Sequence, residues 1–177
     1  PFTAVLALEG LRRVARSLIR SYEDGSDLEA RADMSWAAYL SGVTLANAGL
    51  GIVHGFASPI GAHFDIPHGI ICSALMASAN RVTIRRLRKE GSNNAALAKY
   101  ADAGRIFAGN GFQSDDYYID FFSNAIERIA SQLMIPQLSQ FGISANALGM
   151  IVAESDNKNN PVALTKDEME EVLRESL

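Results

Sequence analysis

The 177-residue chain contains three histidines, and His54, His63 and His68 all fall within one fifteen-residue stretch. Imidazole is the side chain best suited to hold a borderline divalent metal near neutral pH. His54 and His68 lie on separate apolar, helix-like pieces joined by a turn that contains Pro59, Gly61 and Pro67. Such a turn can bring two rings to one point. Pro67 is expected in the first turn of the next helix, where the helix dipole acts against an imidazolium at His68. The neutral ring is the form that coordinates metal. Gly55 and Gly69, each following a histidine, are expected to keep the space around the rings open. Two imidazoles still underfill a site, because Zn²⁺ takes about four ligands and non-haem iron a carboxylate besides. The nearest carboxylate, Asp65, is expected to cap the helix opened at Pro67. Cys72 stands one turn beyond His68, but its neighbours Ile70, Ile71 and Leu75 predict an inert buried thiol. On spacing alone, a packed or exposed structural role for each histidine is the better reading.

The elements that would position these side chains read as helices throughout. Val5, Leu8, Leu11, Ala15, Leu18, Ile19 and Tyr22 recur at three- and four-residue spacing and predict a helix over Phe2 to Tyr22. Glu23-Asp24-Gly25 ends it. Ser26 is expected to cap a second helix carrying Leu28, Met34, Trp36, Leu40 and Val43, with small residues from Gly42 to Gly51 at its far end. After the histidine stretch, a helix from Pro67 runs through Ile70, Ile71, Leu75 and Val82 to the basic end Arg85, Arg86, Arg88 and Lys89, stopped by Gly91. Ser92 is expected to cap the next helix, through Leu97, Tyr100, Ala101 and Ile106, followed by a Gly109-Asn110-Gly111 turn. Ser114, Asp115 and Asp116 open a long helix ended before Pro136, with the Tyr117-to-Phe122 aromatics in the core. A further helix spans Asn146 to Glu154. After the polar loop Asn157-Lys158-Asn159-Asn160-Pro161, Thr165 and Glu168 form a capping box for the last helix.

No segment alternates at a period of two and nothing repeats. The expected fold is therefore all-α, a bundle-like single domain over residues 1–177 with seven or eight helices. Gly49-x-Gly51 lacks both the third glycine and the preceding strand of a dinucleotide fingerprint. A formal charge of −4 excludes a dedicated nucleic-acid binder, and the Arg81/Arg85/Lys89 stripe reads as a solvated face complementing the helix dipole. No apolar run approaches the ~20 residues of a membrane helix, so no membrane partner is expected. One cysteine cannot form an internal disulfide, which points to a cytoplasmic setting. The chain opens at Pro1-Phe2 directly in helical periodicity, so an upstream segment is expected.

The run Asn47-Ala48-Gly49-Leu50-Gly51-Ile52-Val53-His54-Gly55, then Ser58-Pro59-Ile60-Gly61 and Pro67-His68-Gly69, resembles the signature of the iron-containing (group III) alcohol dehydrogenases. The resemblance extends to Leu6-Ala7-Leu8-Glu9-Gly10 near the start and to Asn160-Pro161 with Leu164-Thr165 near the end. It implies a longer enzyme, with an N-terminal α/β domain that binds NAD or NADP and a helical C-terminal domain that carries Fe²⁺ or Zn²⁺. This chain resembles the helical domain. His54 and His68 match two metal-ligand positions. The family's other two ligands, an Asp and a His four residues apart, belong to a helix upstream of the first residue here.

By that resemblance the chain is the metal-bearing part of an NAD(P)-dependent alcohol dehydrogenase acting on a small alcohol or aldehyde, expected to form a homo-oligomer and to be inactive alone. The alternative is a non-catalytic helical binding or assembly module derived from the same family. Two departures bear on the site. Many relatives carry a further histidine one turn after His54, lining the nicotinamide pocket. Ser58 stands there instead, a pocket hydroxyl able to bond a substrate oxygen but unable to titrate near neutrality. His63 falls where the pattern often has an apolar residue, and an exposed or packed role is expected of it.

Overall fold

A computed structural model describes residues 2–91, 94–109 and 111–177. The expected Ser92 cap and the Asn110 turn position lie outside these. Among the described residues there are eight α-helices and no strand: α1 (Phe2–Glu23), α2 (Leu28–Ala48), α3 (Ile52–His63), α4 (His68–Glu90), α5 (Asn94–Ala108), α6 (Asp115–Gln132), α7 (Leu148–Glu154) and α8 (Lys166–Arg174). The all-α expectation holds. No single helix among the described residues is long and apolar enough to cross a membrane. The chain divides into two compact units, Pro1–Gly49 with Ala98–Ala125 and Leu50–Leu97 with Ile126–Leu177.

In the first unit α1 and α2 form a helical hairpin whose seam departs from the sequence reading. The residues α2 buries are Ala30, Asp33, Ala37 and Leu40, while Leu28 and Trp36, expected inside, are exposed. On α1 the fully buried positions are Gly10 and Ser17, and Val5 and Tyr22 are exposed. The physical reason is close approach: Gly10 faces Ala37 and Leu40, and small side chains let two helices pack where large ones would hold them apart. Asp33 sits in that seam at 4% exposure. It accepts hydrogen bonds from Arg13 at 2.9 Å, from Arg16 at 2.8 Å and from the Ser17 hydroxyl at 2.6 Å. Four donors compensate the carboxylate's lost hydration, which is the condition for burying a charge. The cap also differs. Asp27, not Ser26, accepts from the Ala30 amide, and Ser26 instead bonds Asp24.

In the same unit, Gly104 of α5 lies so close to α6 that a Cβ there would stand 1.9 Å from the Tyr118 carbonyl oxygen. Tyr118, Ile119 and Phe122 are buried on this contact, while Tyr117 is 46% exposed, so the aromatic run is core on one face only.

In the second unit α4 is the central helix, burying Ile71, Leu75, Ala79, Val82 and Leu87. It ends at Gly91 in the left-handed region, as the sequence predicts. The capping box of α8 is present, with Thr165 and Glu168 each bonding the other's backbone amide. The basic stripe of α4 is not simply solvated. Arg85 pairs with Glu171 and Arg81 with Glu175 at 2.7 Å and with Glu127, so the stripe fastens α8 and the end of α6 to α4.

Ser17 first, then Arg16, hold the Asp33 carboxyl below the usual carboxylate range. A carboxylate whose folded value is depressed contributes stability above its unfolded value of about 4, and this is lost as pH falls through the folded value. Asp33→Asn should therefore lower stability at pH 7 and flatten, though not abolish, the loss on acidification. Urea unfolding of both proteins at pH 7 and pH 3 measures this, and parallel acid losses would contradict it.

Candidate metal centre

The site is built where α3 meets α4 within the second unit. Gly51 precedes α3 in an extended conformation, and the amides of His54 and Gly55 both bond its carbonyl oxygen. Three contacts from the 156–160 loop hold this first turn. The Asn159 amide donates to the Leu50 carbonyl at 2.8 Å, and the Asn160 side chain lies against Gly51. Asn160 Nδ2 also donates to Thr83 of α4 and to the Val162 carbonyl, at 3.2 and 2.9 Å. At Gly55 the loop backbone comes closest: a Cβ would meet the Asp156 carbonyl oxygen at 1.9 Å. Asn157 closes the loop on itself through paired bonds with the Leu164 backbone.

Two expectations about the turn are corrected. Pro67 is the N-cap of α4 rather than its first helical residue, and Asp65 makes no cap. Pro67 supplies the carbonyl that accepts from Ile70 and Ile71, and Asp65, two residues earlier, is an exposed side chain. The flanking glycines also differ in purpose. Gly69 has open space where a side chain would go, whereas Gly55 is required for the loop's approach and not for room around the ring.

His54 and His68 face each other with ring centroids 5.3 Å apart and planes inclined at 48°. The structure adds Cys72 to them, against the expectation of a sequestered thiol. Its Sγ is half-buried, 3.4 Å from His68 Nε2 and 3.8 Å from His54 Nε2. The three donor atoms lie within 4.8 Å of one another. The signal was the four-residue interval from His68, which places both side chains on one face of α4. His63 leaves the group and pairs with Glu154 of α7 at 2.8 Å, on the exposed surface. Ser58 is exposed on α3, one turn past His54.

The donor set fits a divalent metal. Bonds of about 2.0–2.1 Å to nitrogen and about 2.3 Å to sulfur in a tetrahedron put neighbouring donors about 3.4–3.6 Å apart. The observed sulfur–nitrogen distances of 3.4 and 3.8 Å bracket that spacing. Burial first, and then the neighbouring His68, lowers the pKa of His54 and favours the neutral ring. Burial pushes the Cys72 thiol up.

A helical chain with this paired-histidine turn defines a class, and the chain belongs to the iron-containing alcohol dehydrogenase family. The model of the Fe-containing alcohol dehydrogenase family, C-terminal, matches residues 1–177. The NADPH-dependent butanol dehydrogenase of Clostridium saccharobutylicum is 31% identical over 98% of this chain and 44% of its own length. The 1,3-propanediol dehydrogenase of Citrobacter freundii is 28% identical over 99% of this chain and 45% of its own length. A crystal structure of a 1,3-propanediol oxidoreductase superposes with a TM-score of 0.86 at 26% identity, covering all of this chain and 46% of that one. The chain thus spans a little under half the length of these relatives.

Gly55→Ala should destabilise the protein by about 1–3 kcal/mol, the cost of forcing one methyl into a filled space. Gly69→Ala should be neutral or slightly stabilising, since it adds helix propensity in open space. Thermal unfolding of the two variants tests the distinction, and equal effects would contradict the assigned role of Gly55.

Proposed function

We propose that this chain is the metal-bearing part of an NAD(P)-dependent alcohol dehydrogenase that interconverts a small alcohol and an aldehyde or ketone by hydride transfer. The single observation that carries the reading is the convergence of His54 and His68 across the α3–α4 turn, in a chain of this family. The two relatives described above are named for dehydrogenation of butanol and of 1,3-propanediol, which supports a small aliphatic substrate.

His54 and His68 would hold the ion, Fe²⁺ or Zn²⁺, with ligands from outside this chain completing its shell. When bound, that ion supplies a Lewis acid for the substrate oxygen. The partly buried His54 contributes a neutral imidazole from a helix turn seated by the Asn159 and Asn160 contacts. His68 contributes one from the exposed first turn of α4. Ser58, one turn past His54, presents a hydroxyl that can donate a hydrogen bond to a substrate oxygen, and contacts to the nicotinamide would fall near it. Dinucleotide binding belongs to a separate α/β domain in this reading, so the chain by itself should show no turnover. A cytoplasmic, self-associating enzyme completes the proposal. The exposed Phe2, Val5, Trp36 and Tyr39 are apolar surface that association could cover.

In the intact enzyme, His54→Ala or His68→Ala should remove most of the bound metal and most of the turnover while leaving the helical circular dichroism unchanged. Metal content by plasma emission spectroscopy decides the matter, and full occupancy in either variant would exclude that residue as an essential ligand. Ser58→Ala should cost about tenfold or less in turnover with no loss of metal, in keeping with one neutral hydrogen bond of about 0.5–1.5 kcal/mol. Loss of metal on that change would contradict the role given to Ser58.

A further inference from the structure

The thiol of Cys72 is unused in the reading above, yet it stands beside both imidazoles. Its Sγ lies 3.4 Å from His68 Nε2 and 3.8 Å from His54 Nε2, and all three donors fit within 4.8 Å. We propose that Cys72 is a third protein ligand of this centre, so that the chain itself presents two imidazoles and one thiolate to a Zn²⁺ or Co²⁺ ion. The inference rests on the metal-site reading of His54 and His68.

Three arguments carry it. The first is geometric. A tetrahedral ion bonded to one sulfur and two nitrogens requires sulfur–nitrogen separations of about 3.6 Å, and the two observed distances, 3.4 and 3.8 Å, fall on either side of that value. The second is the framework. His68 and Cys72 sit four residues apart on one face of α4, and His54 comes from the first turn of α3, seated by the 156–160 loop. The donors are thus held by helices rather than by loose chain, and pre-positioned ligands spare the ordering entropy of binding. The third is access. His68 is exposed and Cys72 half-buried, so an ion can enter from solvent.

The chemical consequence concerns metal choice. A thiolate is a soft donor that favours Zn²⁺ and Co²⁺ over Mg²⁺ or Mn²⁺ far more than an all-nitrogen and oxygen set does. On binding, the S–H bond gives way to a sulfur–metal bond and the proton passes to solvent. No electron is transferred.

The test uses the purified chain with Co²⁺ as the probe, reading the near-ultraviolet thiolate-to-cobalt charge-transfer band. Because Cys72 is the one cysteine, any such band reports on it alone. The expected result is a band that saturates at one equivalent, vanishes in Cys72→Ser and in His68→Ala, and is accompanied in Cys72→Ser by a loss of Co²⁺ affinity greater than about tenfold. Even outer-shell partners of a metal site cost that much. Zn²⁺ should also slow alkylation of Cys72 in the unaltered chain by more than about tenfold, a readout that needs no variant to fold. Stoichiometric Co²⁺ binding without the band, and with alkylation unchanged by Zn²⁺, would overturn the third ligand while leaving the histidine pair standing. A band that survives in His68→Ala would overturn the shared site. Absence of any Co²⁺ binding would overturn both the third ligand and the histidine pair as a centre in this chain.

Discussion

Everything at the candidate metal centre depends on how closely the backbone of α3 can approach the loop at Asp156. The carbonyl oxygen of Asp156 occupies the space where a side chain at position 55 would begin. That contact, with the Asn159 bond to Leu50 and the Asn160 bonds to Thr83 and Val162, fixes the first turn of α3 relative to α4. His54 is in that turn. Its direction toward His68 is therefore set by backbone packing and amide hydrogen bonds, which are short-range and stiff, and not by the flexible side chain itself. Asn suits this work because one side chain both donates and accepts: Asn157 does so toward the backbone of Leu164.

Charge is handled differently in the two units. In the first, Asp33 is buried and remains ionised because Arg13, Arg16 and Ser17 surround it with donors. In the second, the paired charges stay on the surface, where Arg81 and Arg85 of α4 meet Glu127, Glu171 and Glu175. The candidate metal centre follows neither pattern. Before a metal binds, burial favours the uncharged forms of the His54 ring and the Cys72 thiol, groups that tolerate partial burial without a counter-charge.

Features set by local chemistry were legible in the sequence. The Thr165–Glu168 capping box, the Gly91 stop of α4 and the Ser114 start of α6 each follow from residues within one helical turn of each other. So did the paired histidines, whose rarity marks them. What the sequence did not reveal was set by distant neighbours. Apolar periodicity on α1 and α2 pointed to Val5, Leu28 and Trp36, yet the seam runs through Gly10, Ala30, Asp33 and Ala37, because the two helices lie too close for large side chains. The polar run from Asn157 to Asn160 read as an ordinary loop, since its partners Leu50, Gly51 and Thr83 are more than seventy residues away. The apolar neighbours of Cys72 predict a sequestered thiol, but the helical interval to His68 decides its direction.

The central claim is that His54 and His68 jointly hold a divalent ion. X-ray absorption at the zinc edge of the zinc-loaded protein tests it most directly, because imidazole rings scatter with a distinct outer-shell pattern. The account predicts first-shell nitrogen at about 2.0–2.1 Å with outer-shell scattering from two rings. A shell of oxygen donors with no imidazole pattern would contradict it.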